Sequence, residues 1–240
     1  MARYLKKIDA RHYRTLLFCG DIHGRFDLLQ TALARKGFVA EQDLLVLVGD
    51  LIDRGRFCPE TVSFVLAGLK QGCIVMVAGN HDLYPVGDYA IWMANDGDWF
   101  EHLKKQQPDK AATVMQQLVA IAEQPLALEL HTEQGLIGIV HGDVPENDWL
   151  TLSNTADAEQ APRLQRTLVS GRSMLKAKQL NALASLHVAN IDYVVSGHTV
   201  VQQPLFVANR TYIDTGAYYT EQLTLLSLPE LVAGFKNSRS

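Results

Sequence analysis

The sequence predicts an α/β fold, and two observations carry that expectation. Apolar runs of strand length alternate with helix-period segments through the first half, and turn chemistry replaces helices in the second. Strand–helix–strand order implies right-handed crossovers and hence a parallel sheet. Hairpin connections imply antiparallel strands that join or cover it.

The elements follow in order. Strand-length apolar runs lie at 15–19 (TLLFC), 44–48 (LLVLV), 73–78 (CIVMVA), 126–130, 136–140 (LIGIV) and 192–195. Their β-branched content and glycine boundaries read as buried strands. Phe26, Leu29 and Leu33 share one helical face, as do Val62, Val65, Leu66 and Leu69 behind Pro59, which suits a first helical turn. Val114, Leu118 and Ile121 mark a third helix stopped by Pro125, and a further helix is expected near 172–187. "EQG" at 133–135 and "NR" at 209–210 read as hairpin turns, and 222–228 alternates as a late strand. Residues 143–162 are polar and irregular, a substrate-side loop, and the last residues are expected to fray. No Pro-, Ser- or Gly-rich linker divides the chain, so residues 1–240 read as one domain.

Composition narrows the class. A chain of 240 residues can bury about 70–75% of its unfolded surface. Net charge is −4 and the pI near 6.0, which gives no electrostatic footprint for nucleic acid. Cys19, Cys58 and Cys73 stand apart and read as reduced core residues rather than a disulfide frame. The charged start "MARYLKKIDARHYR" has no apolar core of a signal peptide. No apolar run approaches the ~20 residues of a membrane helix. The expectation is a soluble, cytoplasmic protein with no membrane or nucleic-acid partner.

Polar residues gather where five of the strands end. LLFCG runs into Asp21 and His23, LVLVG into Asp50, VMVAG into Asn80 and His81, IGIV into His141, and YVVSG into His198. Ligands of open α/β sheets bind beyond the carboxyl ends of the strands. Taken singly, Asp21 or Asp50 would read as a helix cap and Asn80 as a turn residue. Their joint placement delivers two Asp, one Asn and three His to one region. Oxygen and imidazole donors without thiolate suit Mn²⁺, Fe, Zn²⁺ or Ni²⁺. Six ligands exceed one open tetrahedral ion and suit a pair of ions about 3.5–4 Å apart. His12, His102, His131 and His187 lack such placement.

The segments "GDIHG" (20–24), "GDLIDRG" (49–55), "GNHD" (79–82), "HGD" (141–143) and "GHT" (197–199) resemble the signature of calcineurin-like metallophosphoesterases. "DRG" narrows the resemblance to the phosphoprotein phosphatase branch, and within it to the lambda-type bacteriophage and small bacterial serine/threonine phosphatases. The likeness extends from "RYLKKID" to "YIDTGA" and "LTLL". It implies two mixed sheets packed face to face between flanking helices (α/β/β/α).

Residue by residue, it implies Asp21, His23 and Asp50 on a first divalent ion. Asp50 then bridges to a second held by Asn80, His141 and His198, with Mn²⁺ the expected metal. A water activated between the ions attacks phosphorus, His81 protonates the leaving oxygen and Asp53 orients the imidazole. Arg54 matches a phosphate-gripping arginine, and Arg172 in "VSGRSML" matches a second. Arg25 reads as a solvent-facing helix-start residue or an added phosphate contact.

Two positions depart from the branch. Ala78 and Asp82 stand where protein phosphatases usually carry Arg and Glu, and resemble instead the symmetrical diadenosine tetraphosphate hydrolases. The expected activity is therefore protein phosphatase, with hydrolysis of dinucleoside polyphosphates or another small phosphoester as the alternative. The alternative of another class is a metal-binding regulatory protein without turnover.

Overall fold

The computed structural model describes residues 4–153 and 161–238. Its strands are β1 (Leu5–Asp9), β2 (Thr15–Cys19), β3 (Asp43–Leu47), β4 (Ile74–Met76), β5 (Ala127–Thr132), β6 (Gly135–Val140), β7 (Tyr193–Ser196), β8 (Leu205–Val207), β9 (Arg210–Tyr212) and β10 (Leu225–Ser227). The helices are α1 (Phe26–Lys36), α2 (Cys58–Gln71), α3 (Asn80–Leu83), α4 (Tyr89–Met93), α5 (Asp98–Gln106), α6 (Pro108–Ala122), α7 (Ala161–Ser170), α8 (Ser173–Gln179), α9 (Ala217–Thr220) and α10 (Leu228–Asn237).

The strands form two sheets, ordered β10-β2-β3-β4 and β1-β5-β6-β7-β9-β8. In the first, β2, β3 and β4 run parallel and β10 closes antiparallel on β2. The second is mixed: β5 and β6 form the hairpin expected at 133–135, and β8 and β9 the one expected at 209–210. The face-to-face pair of sheets between helices is the architecture that the resemblance implies.

Strand periodicity explains why the central runs are apolar throughout. Leu16, Phe18, Leu44, Val46 and Val75 point toward Leu128, Leu130, Ile137, Ile139 and Val195 of the other sheet. Their neighbours Leu17, Leu45, Leu47, Ile74 and Met76 point the other way, onto Leu29 of α1, Val62 and Val65 of α2, and Leu118 of α6. Both faces of β3 are covered, and all five of its residues are buried. The outer face of the six-stranded sheet packs Ala127, Val140 and Val194 against Trp149, Leu168 and Val169. Each fully buried large apolar side chain is worth about 1.5–3 kcal/mol.

Four expectations need correction or completion. The charged stretch "LKKID", to which the sequence assigns no element, is β1, an edge strand parallel to β5 with Lys6, Lys7 and Asp9 exposed to water. The helix expected over 172–187 breaks in two, α8 and a 3₁₀ turn at Leu183–Leu186, because Asn181 takes a left-handed φ of 51°. The loop of 143–162 holds 3₁₀ turns at Pro145–Asn147 and Trp149–Leu152, and its end opens α7; residues 154–160 lie outside the described residues. Toward the expected frayed end, a Ser227–Glu230 capping box starts α10 and helix continues to Asn237, while residues 239–240 lie outside the described residues. Among the described residues, no helix is long and apolar enough to cross a membrane.

Candidate metal centre

The carboxyl ends of β2, β3, β4, β6 and β7 open onto one site. Asp21 and His23 follow β2; Asp50, Asp53 and Arg54 follow β3; Asn80 and His81 begin α3 after β4; His141 follows β6 and His198 follows β7. Asp21, His23, Asp50, Asp53, Asn80, His81 and His141 are all buried. Two groups of donors result, His23–Asp50–His81 and Asp50–His141–His198, with the ligand atoms within each no more than 4.8 Å apart. Asp50 belongs to both. Its Oδ2 lies 3.5 Å from His23 Nε2 and 3.2 Å from His141 Nε2.

The backbone is bent to make this happen. His23, Asp50, Asp53, Arg54 and His198 have φ values of 44°, 53°, 69°, 68° and 60°, left-handed values that non-glycine residues rarely adopt. Such strain costs about 1–3 kcal/mol per residue and gathers where surrounding structure over-determines it. The preceding glycines serve mainly close approach: a Cβ on Gly79 would lie 2.2 Å from Asp50 Oδ1, and one on Gly197 2.1 Å from Asp21 Oδ1.

The imidazoles are oriented by backbone carbonyls. His23 Nδ1 bonds Ile52 O at 2.8 Å and His141 Nδ1 bonds Val48 O at 2.8 Å, which turns each Nε2 toward the cluster of donors. Asn80 is set the same way: its Nδ2 donates to Tyr84 Oη at 3.0 Å, so Oδ1 turns inward, 3.2 Å from His141 Nε2. A neutral oxygen donor is the consequence, which explains an amide at the end of an apolar strand.

Electrostatics fit the same reading. Burial pushes His23 and His198 down to about 3 and keeps both imidazoles neutral, the form that binds metal. Burial works against a charge on His141 too, but Asp50 and Asp21 outweigh it and push the ring up to about 10. Burial and the neighbouring Asp214 raise Asp21. Asp21 Oδ1 and His198 Nε2 are buried without a hydrogen-bond partner, an arrangement that costs about 1–3 kcal/mol per group unless something binds there. Carboxylates demanding positive charge beside neutral imidazoles, one of them unpartnered at His198 Nε2, form a donor set for divalent cations. Asp21 enters neither donor group, and its Oδ2 accepts the His198 backbone N–H at 3.0 Å.

His81 and Asp53 form a buried pair, Nδ1 to Oδ2 at 2.7 Å. The other Asp53 oxygen accepts the indole N–H of Trp92 at 2.9 Å and of Trp99 at 2.8 Å. Burial raises the Asp53 pKa while these hydrogen bonds pull it back. Arg54 spans the site mouth: Nη1 donates to His23 Nε2 at 2.8 Å, Nη2 lies 3.1 Å from His81 Nε2, and the Tyr218 ring lies 4.7 Å from its Cζ.

Arg172 is exposed at the start of α8, near enough to His198 to disfavour a charge there. Its neighbours are fixed by Asp143, which accepts from Ser173 N at 2.6 Å and Ser173 Oγ at 2.7 Å. Asp143 also accepts from the fully buried Arg210 at 2.9 Å. Arg25 does not face solvent freely: it binds Asp27 and donates to Ala217 O at 3.1 Å, tying α1 to α9.

The two departures from the resemblance have structural explanations. The Asp82 carboxylate accepts the backbone N–H of Gly79, Asp50 and Leu51 at 2.8–2.9 Å, which bolts the exit of β3 to that of β4. Ala78 is fully buried in an apolar cluster with Leu126, Ala127 and Val140, a place that suits a small apolar side chain. Trp92, Trp99, Asp143 and Arg210 escaped the sequence reading, since each acts through a partner at least 30 residues distant.

Paired sheets with His and Asp donors converging at strand ends define a metallohydrolase. The family model for calcineurin-like phosphoesterase matches residues 14–202. Serine/threonine-protein phosphatase 2 of Escherichia coli (strain K12) is 32% identical over 231 residues, spanning 93% of this chain and 97% of its own. The asymmetrical bis(5'-nucleosyl)-tetraphosphatase PrpE of Bacillus subtilis (strain 168) is 25% identical over 228 residues, covering 88% and 89%. A Saccharomyces cerevisiae protein serine/threonine phosphatase with similarity to human phosphatase PP5 shares the fold, with a TM-score of 0.61 at 14% identity over 91% of this chain and 72% of that one. The chain belongs to the calcineurin-like phosphoesterase family and is a phosphatase with His and Asp groups able to hold divalent metal.

Proposed function

We propose that the chain is a serine/threonine protein phosphatase of the cytoplasm, activated by Mn²⁺, that hydrolyses phosphomonoesters. The observation that carries the reading is Asp50, a single buried carboxylate common to two groups of donors. Asp21, His23 and Asp50 would hold one ion and Asp50, Asn80, His141 and His198 the other. When bound, the ions supply an acidified water and draw charge from the phosphoryl oxygens. Arg54, with both terminal nitrogens aimed inward, grips the phosphoryl group. Arg172, at the start of α8, would supply the second contact to it. His81 gives the proton on Nε2 to the leaving oxygen while Nδ1–H stays on Asp53.

Substrate extends beyond the phosphate. A cavity of about 460 Å³ borders Asn80 and Tyr84 and is walled by Leu83, Ile91 and Val169, with Arg166 at its side. Such a wall suits the residues flanking a phosphorylated side chain. The second reading, a dinucleoside polyphosphate hydrolase, draws on the tetraphosphatase relative and on Ala78 and Asp82. Loss of turnover is disfavoured by the intact His81, Asp53 and Arg54.

The test offers Mn²⁺-loaded protein a phosphoserine peptide and diadenosine tetraphosphate side by side. A kcat/KM ratio favouring the peptide is expected, and chelation should abolish both activities. Preference for the dinucleotide would overturn the substrate assignment, and no hydrolysis of any phosphoester with Mn²⁺, Fe, Zn²⁺ or Ni²⁺ would overturn turnover itself.

A further inference from the structure

All three tryptophans of the chain donate their indole N–H to a buried carboxylate. Trp149 donates at 2.8 Å to Glu129, within β5. Trp92 and Trp99 converge on one oxygen, Asp53 Oδ1, at 2.9 and 2.8 Å. We propose that these two indoles are positioning residues: they fix the plane of Asp53 so that its remaining oxygen faces His81. The proposal rests on the reading of His81 as proton donor.

The geometry explains why two donors are spent on one atom. A carboxylate on a single methylene turns about two bonds, and one hydrogen bond leaves it free to rock. Two donors arriving from α4 and α5 remove that freedom and occupy Oδ1, so Oδ2 alone remains for His81 Nδ1 at 2.7 Å. The imidazole is held in turn with Nε2 toward Arg54, 3.1 Å away, where the phosphoryl group is gripped. The indoles cannot swing off. Their rings meet edge to face at 6.1 Å, and Phe100 packs on both at 5.2 and 5.7 Å. Trp92 is fully buried, and Gly97 leaves it space, since a Cβ there would lie 2.5 Å from Trp92 Cδ1. The segment 89–106 thus has a task in the chemistry: it carries two N–H donors to a carboxylate about 40 residues earlier in the chain.

In the step concerned, a hydroxide derived from water bonds to phosphorus while the bond from phosphorus to the leaving oxygen breaks, and His81 Nε2 passes its proton to that oxygen. The ring ends neutral with Nδ1–H still on Asp53. Misplaced Asp53 lets the ring tilt and delays this proton. A leaving group that departs as a stable phenolate barely needs the proton, whereas a serine alkoxide does.

The experiment follows that contrast. Trp92→Phe, Trp99→Phe and the double variant keep a ring but lose the N–H. Each is assayed on a phosphoserine peptide and on p-nitrophenyl phosphate, with metal content measured alongside. His81→Asn and Asp53→Asn set the scale and should depress peptide turnover at least about tenfold more than aryl phosphate turnover. The double tryptophan variant is expected to shift that ratio the same way by about tenfold, and Trp99→Phe alone by about threefold, at unchanged metal content. Trp149→Phe removes an equivalent indole–carboxylate bond elsewhere and should lower Tm without moving the ratio. A shifted ratio in His81→Asn with none in the tryptophan variants would overturn the positioning role alone. An unshifted ratio in His81→Asn would overturn the proton-donor reading and the positioning role with it. Should the double variant not fold, Trp99→Phe, at the less buried indole, decides the matter by the same ratio.

Discussion

The two sheets hold their shares of the site by different means. The four-stranded sheet supplies Asp21, His23, Asp50, Asp53, Arg54, Asn80 and His81 from three parallel neighbours, with Cys19 opposite Leu47 and Leu47 opposite Met76. Register sets the spacing of those exits, and Asp82 locks two of them together through backbone N–H groups. The six-stranded sheet supplies His141 and His198 from adjacent β6 and β7, where Val140 is opposite Ser196. It anchors Arg172 only indirectly, through Asp143 and a buried Arg210 that also donates to Leu186 O at 2.6 Å and to Asn147. One side is fixed by the ladder, the other by a long-range polar bolt. Substitutions on the first should therefore cost chemistry and leave folding nearly intact. Substitutions at the bolt should cost stability and substrate affinity first.

The strongest break in that comparison is Asp50→Asn. It weakens the one donor that both groups share, so metal content by elemental analysis should fall and turnover should drop by at least ~10³-fold. His81→Asn, on the same sheet, should lower turnover by ~10²–10³-fold and keep the metal. Equal metal content and near-normal rates in both variants would refute the assignment of the four-stranded side.

On the other side, Arg210→Met tests the bolt. Methionine fills part of the volume but leaves Asp143 buried without its cation. Breaking such a pair costs about 3–5 kcal/mol, and urea unfolding should read most of that loss. Metal binding should survive, because no donor of either group touches Arg210. An unchanged unfolding midpoint would mean that the bolt carries no stability and that the two sides are held alike.

The same contrast explains what could be read in the sequence. Asp21, His23, Asp50, Asn80, His141 and His198 announce themselves because each ends an apolar run, and the run and its polar stop are contiguous. Trp92 and Trp99 look like ordinary aromatic residues of two short helices, and nothing local says that their N–H groups meet Asp53. Asp143 sits in plain view beside His141, yet its partners Ser173 and Arg210 lie 30 and 67 residues onward. β1 was hidden by the same distance: its charged residues face water, and its pairing with β5 spans more than a hundred residues. Local pattern reveals what backbone direction enforces, whereas side-chain bonds across the fold leave no periodic trace.

The smallest expected effect sharpens the comparison most finely. Arg172→Ala should raise KM for a phosphopeptide about tenfold, since a guanidinium near the phosphate is lost while donors and proton pair remain. Ser173→Ala removes one of two bonds to Asp143 and keeps the backbone N–H bond at 2.6 Å. Its arginine can still reach, with a looser anchor, so KM should rise only about two- to threefold. If Ser173 acts through Arg172, the double variant should be no worse than Arg172→Ala alone. Fully multiplicative effects would place Ser173 in contact with substrate on its own account. The six-stranded side would then touch the phosphate at two points instead of one.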